Sequence, residues 1–425
     1  MRKTLLTASL LLLSVTFTFG QKALVDQAWS LAKRTEKPDF KQARASIQQA
    51  LAGESAEDAK AWYVAGNIEQ RFFEKEYSQL QYGLGANEDA MYKALYDGYK
   101  YYLKAVELDT LPNEKGKVKP KYLKNIQKDL LNNTDGYNNG AVHQFNNKKD
   151  YKGAYDYWNI ILEIRDLPFM APMAKKMPSD SIYAQIEYNA SLAAYYSDDR
   201  ALSVKAHERA KGNGYEQNSV YQRLVQEYSI ARDTVNLIAT LNEGNQLFGD
   251  TDVERKHADG STYYKKEDFY GISLMNLYIS SQQYDKAFEV LNEILPKSPE
   301  NYDLWNVKGN LHENQGETEE AIKCFQKALE LNPKFADALG SMGRIYFNQA
   351  VEKDNELSTS ITNTAEYNKA KEQEVLPLYR QALPYFEQAH QLNADERDYM
   401  VALRSIYYNL NDAANLKLIE IEMGL

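Results

Sequence analysis

Cysteine is almost absent. Among 425 residues Cys324 is the only thiol, which excludes an internal disulfide and a cysteine-rich metal site. Histidine is scarce as well: His143, His207, His257, His312 and His390 include no two at a short metal-ligand spacing. His207 opens an H-E-x-x pattern, but Lys211 stands where the second histidine of a zinc helix belongs. Asp250 and Asp252 start like a calcium loop, yet Arg255 replaces its turn glycine and Ser261 its terminal glutamate. Gly83-Leu84-Gly85 follows no strand and so is no phosphate loop, and G-x-S-x-G does not occur. No enzyme, cofactor or metal site is therefore expected. Sustained period-two alternation is missing, which argues against strands. Excess positive charge is missing too: the formal net charge is −10, and an acidic surface repels a phosphate backbone, so no nucleic-acid partner is expected. The one basic stretch runs from Lys115 to Lys128; Gly116 and Pro120 break its first half, which reads as a solvated loop entering a helix.

Long apolar runs are confined to the N-terminus. Arg2 and Lys3 precede an apolar segment from Leu5 to Phe19, with Thr18 and Gly20 suited to cleavage before Gln21. A charged start, a core too short for a stable span and a small residue before the cut predict a secretory signal peptide over residues 1–20. Gln21 stands where a lipoprotein needs cysteine. The expectation is a soluble, periplasmic or secreted chain with no membrane span after signal removal.

What is present is a period. Ala321, Phe325 and Pro333 fall 34 residues after Ala287, Leu291 and Pro299, while Trp305, Gly309 and His312 fall 34 before Leu339, Gly343 and Tyr346. Small residues recur where helices approach closely, large ones where a neighbour is filled, and proline stops the second helix. At these positions the chain resembles the tetratricopeptide repeat family, departing at Lys308 and His312, where leucine and an aromatic are usual. The match is strong from Asp268 through Pro333. Ala382, Phe386 and Ala389 keep the second-helix spacing after 27 inserted residues, and residues 397 to 420 read as a shortened last pair. Upstream, Phe40, Ala43, Ile47 and Ala50, then Trp62 and Gly66, then Tyr151, Ala154, Trp158 and Ile161 repeat parts of the pattern.

The resulting expectation is an all-α solenoid of nine stacked antiparallel helix pairs with two insertions. Degenerate repeats would occupy residues 21–267 and clearer ones 268–425, with a polar insertion at about 350–376. Residues 165–180 and 248–260 read as loops. One helix pair cannot bury its apolar face alone; stacking does it. The 33 tyrosines fit such packing, Tyr151, Tyr278, Tyr284 and Tyr346 holding repeat positions.

The resemblance implies a binding scaffold for a protein or extended peptide, met by the second, fifth and ninth residues of each first helix. Those are Phe269, Ile272 and Asn276, then Asp303, Asn306 and Asn310, then Asp337, Gly340 and Arg344. Asn276, Asn306, Asn310 and Arg344 form the candidate ligand face, with Asn67 as a possible counterpart in an early repeat; an asparagine amide both donates and accepts and so suits a peptide backbone. The lysine and arginine clamp that some members use for a C-terminal carboxylate is absent, since Ile272, Asp337, Val307 and Ser341 stand at its positions. The alternative is an envelope glycan held by insertion tyrosines such as Tyr77, Tyr82 and Tyr92. Asp109-Thr110-Leu111, Asp180-Ser181-Ile182 and Asp233-Thr234-Val235 resemble an O-glycosylation signal of exported proteins in Bacteroidetes-type bacteria, although such residues also suit helix capping.

Overall fold

The computed structural model describes residues 20–249, 252–256, 262–266 and 268–425. The predicted signal peptide therefore lies almost wholly outside the described residues, as do His257 and the ends of the rejected calcium loop.

Two compact units divide at Asp233 and Thr234. The first holds a helix over 20–32 (α1), α2 (Phe40–Leu51), α3 (Ala59–Gln81), α4 (Glu88–Asp109), α5 (Leu123–Asn132), α6 (Thr134–Val142), α7 (Tyr151–Asp166), α8 (Asp180–Tyr196), α9 (Arg200–Ala210) and α10 (Gln217–Ala231). The second holds α11 (Thr234–Phe248), α12 (Phe269–Ser280), α13 (Tyr284–Ile294), α14 (Tyr302–Asn314), α15 (Thr318–Leu331), α16 (Ala336–Ser360), α17 (Thr364–Ala370), α18 (Leu376–Leu392), α19 (Arg397–Asn409) and α20 (Ala413–Glu422). Each unit is a stack of antiparallel helix pairs. The sequence places the division at 267/268; the compact units place it earlier because α11 packs on α12, Gly244 lying against the Tyr270 ring.

Short polar side chains start the helices. Asp39, Asp150, Asp199, Asp268 and Asp412 each accept a backbone N–H of the first turn, satisfying donors that the helix itself leaves unpaired. The repeat spacing is packing, as its pattern implied. A Cβ on Gly309 would stand 2.5 Å from the Phe325 ring, and one on Gly343 2.8 Å from Phe386, so only glycine lets the two helices of each pair close. Trp62 and Trp305 each donate their indole N–H to the carbonyl six residues earlier, Ala56 and Pro299, both at 2.8 Å. His312 fills its aromatic position: its ring meets Phe288 edge-on at 4.8 Å, and Nδ1 lies 2.6 Å from Glu317.

Three expectations need correction. Residues 252–256 and 262–266 pair as antiparallel strands β1 and β2, Asp252 opposite Lys266 and Lys256 opposite Thr262, where the sequence suggested a loop and no strands. Five-residue strands are too short to display a period. The C-terminal insertion, read as polar, is mostly helix: α16 runs on to Ser360, and α17 leads through residues 371–375 into α18. Leu357, Val375 and Leu376 are buried beside Tyr379 and Phe386, so this segment carries core. The earlier insertion works likewise, lengthening α3 and α4 to 23 and 22 residues. Finally, Asn67 is spent inside its own pair, its Oδ1 accepting from the buried Tyr102 hydroxyl at 2.9 Å.

Candidate functional site

Within the second unit, α14, α16 and α19 bring their first-helix faces to one cleft of about 710 Å³. Asn306 and Asn310 enter it from α14, and Asp337, Gly340 and Arg344 from α16. Five of the nine register positions thus share this cleft, while Phe269, Ile272 and Asp303 lie outside its lining. Asn276 does not join; it is exposed on α12 and outside this lining. The third wall was missed: Asp398, Val401 and Ser405 of α19 line the same cleft. They are the second, fifth and ninth residues counted from Arg397, so carrying the register past the 27-residue insertion finds them.

Asn306 is the unusual member. It is only 8 % exposed, and its Oδ1 is buried with no hydrogen-bond partner. An unpaired buried acceptor costs about 1–3 kcal/mol, which a structural asparagine would recover by bonding a neighbour. Arg344 is the reverse case. Nε and Nη2 donate to Glu313 Oε1 (3.2 Å) and Oε2 (2.7 Å), and Nη2 also donates to Asn310 Oδ1 (3.2 Å). The residue expected to grip a ligand instead braces α16 against α14.

Tyr399 forms the end of the floor. A Cβ on Gly340 would stand 2.5 Å from its ring, so the glycine lets Tyr399 settle against α16. Its hydroxyl donates to the Ala336 carbonyl at 3.2 Å. Burial, then the carboxylates of Asp337, Glu396 and Asp398 against the opposing charge of Arg344, push its pKa up to about 12.

A second polar group has the residue types of a catalytic triad but a different proton arrangement. Ser203, His207 and Glu227 are all buried in the first unit. The Ser203 hydroxyl donates to Glu227 Oε1 at 2.8 Å, while His207 Nδ1 lies 2.9 Å from the Ser203 carbonyl and so holds the proton. Serine thus points its proton at the carboxylate rather than at the imidazole, opposite to an activated nucleophile. His207 Nε2 is buried and unpaired. Burial holds its pKa below the ordinary 6.5, with Arg223 adding to the effect. The unfolded chain consequently takes up a proton that the folded one refuses. Stability is expected to fall as pH drops below about 6.5, by at most about 1.4 kcal/mol per unit for this group. Urea melts at pH 7.5 and 5.5 check this: His207→Gln should reduce the pH dependence, and an unchanged difference would refute it.

Among the described residues no group of histidine, cysteine, aspartate and glutamate could hold a metal ion, and no helix is long and apolar enough to cross a membrane. The tyrosines proposed for a sugar face are largely consumed: Tyr92 is buried and Tyr77 stacks on Phe73 at 5.5 Å, leaving Tyr82 exposed. Asp109 of the first candidate glycosylation triplet accepts from Lys121, Tyr122 and Leu123 backbone N–H groups, closing the lysine-rich loop onto α5.

Residues 302–335, the α14–α15 pair, match the family model described as tetratricopeptide repeat. A 112-residue stretch, 26 % of the chain, is 28 % identical to Photosystem I assembly protein Ycf3 of Rippkaea orientalis; the chain spans 57 % of the length of that curated relative. Among solved structures, a putative protein binding protein from Bacteroides ovatus is similar at 19 % identity and a TM-score of 0.35, covering 51 % of this chain and 98 % of that one. YrrB, described as a TPR protein with an unusual peptide-binding site, is similar at 14 % identity and a TM-score of 0.32, covering 52 % and 97 %.

Proposed function

We propose that the protein is an exported, non-catalytic scaffold that holds an extended segment of a protein partner in the α14–α16–α19 cleft, in assembly or processing at the cell envelope. The observation that carries this reading is the buried, unpartnered Oδ1 of Asn306, a residue that lines the cleft. A peptide backbone N–H satisfies it without any demand on side-chain identity. The Arg344–Glu313 brace supports the same reading by fixing the walls before the ligand arrives.

Asn306→Ala with Asn310→Ala should weaken a partner captured from envelope extract about tenfold, since about 1.4 kcal/mol is a factor of ten. Folding should be unharmed, because the first change also removes an unpaired buried acceptor. The contrast is Tyr408→Ala on the separate cleft beside α17 and α20, where Tyr408 is exposed. If that change abolishes capture while the asparagine pair is without effect, the binding face is elsewhere. Deleting the insertion is no substitute, because Leu357, Val375 and Leu376 belong to the core.

Export follows from the N-terminal pattern of Arg2, Lys3 and the apolar run to Phe19. N-terminal sequencing of fractionated cells should find Gln21 first, in the periplasm or the medium. Protein retaining Met1 in the cytoplasm would refute it.

A further inference from the structure

The chemistry lining the cleft says which kind of segment it takes. Asn306 offers an unpaired buried acceptor. Asp337, Glu396 and Asp398 add three carboxylates to the same lining. The only cation in the lining is Arg344, already neutralised by Glu313. The cleft therefore presents negative charge to its occupant. A bare metal ion does not fit, because no group of acidic or histidine side chains among the described residues is close enough to ligate one. Phe347, Phe386 and Tyr399 supply apolar and aromatic wall between the acids, suited to the methylene stem of a long basic side chain and to the face of a guanidinium.

We propose that the cleft selects an extended peptide bearing arginine or lysine: Asn306 Oδ1 accepts from its backbone or side-chain N–H, while Asp337, Glu396 and Asp398 pair with its cation. The proposal rests on the reading of this cleft as the peptide site, and goes beyond it by fixing the charge of the ligand.

The test is selection of a bead library of random eight-residue peptides on the purified protein at about 0.15 M salt, where charges beyond about 8 Å are screened. Arginine plus lysine should be enriched threefold or more over the input at one or two positions. The enrichment should survive in Glu319→Gln with Glu320→Gln, an equal loss of charge on the exposed start of α15, and vanish in Asp337→Asn with Asp398→Asn. Equal cation enrichment in all three proteins would assign it to general surface charge and overturn the proposal. Selected peptides that depend on Asn306 (lost in Asn306→Ala) yet show no preference for cations would overturn it while leaving the peptide cleft standing. No selected peptides, or selection indifferent to Asn306→Ala, would overturn both readings.

Discussion

Ala321→Arg is expected to lower the melting temperature of the second unit by roughly 10 °C. Ala321 is fully buried on α15 against Phe325, Met342 and Ile345, where the chain passes from one helix pair to the next. Arginine adds several heavy atoms to a filled contact, and overpacking alone costs about 1–3 kcal/mol. An uncompensated buried charge raises the loss to about 3–5 kcal/mol. Differential scanning calorimetry reads it directly; an unchanged melt would mean that Ala321 does not sit at a helix contact.

The first unit offers a comparable effect at Tyr102. The ring is 1 % exposed, lies against Gly66, and donates its hydroxyl to Asn67. Tyr102→Ala should cost about 3–5 kcal/mol, as large-to-small changes of buried aromatics do. Tyr102→Phe keeps the ring and gives up the hydrogen bond, for about 0.5–1.5 kcal/mol. Chemical denaturation of the two variants separates the contributions. If they prove equally unstable, the hydroxyl network rather than the ring holds α4 to α3.

The parts legible in the sequence are those governed by near neighbours along the chain. Gly309 and Phe325 lie sixteen residues apart within one pair, and the 34-residue period repeats their relation at Gly343. The insertion was misread because its buried contacts are sparse. Leu357, Val375 and Leu376 are scattered among charges that pair with one another, Lys353 with Glu374 (3.2 Å) and Lys371 with Asp354 (2.9 Å). A segment with few apolar residues and many ion pairs reads as polar even when it carries core. Three of the four candidate ligand residues meet in the cleft, but their roles were not legible. Arg344 is committed by Glu313, 31 residues earlier, and Asn306 is left unpaired by what its neighbours decline to offer. Both facts depend on how successive helices stack, which no single repeat encodes.

The glycine contacts beneath the cleft have a consequence for how its specificity can change. Gly340 against Tyr399 and Gly343 against Phe386 leave no room for even one added carbon, so the floor admits almost no substitution. Asp337 and Asp398, by contrast, are exposed at the rim, where a change usually alters stability by no more than about 0.5 kcal/mol. On the proposed reading, shape and selectivity thus fall to different residues. A lineage could then exchange one partner for another by drifting at the rim, without passing through an unfolded intermediate sequence, while the floor keeps the same width throughout.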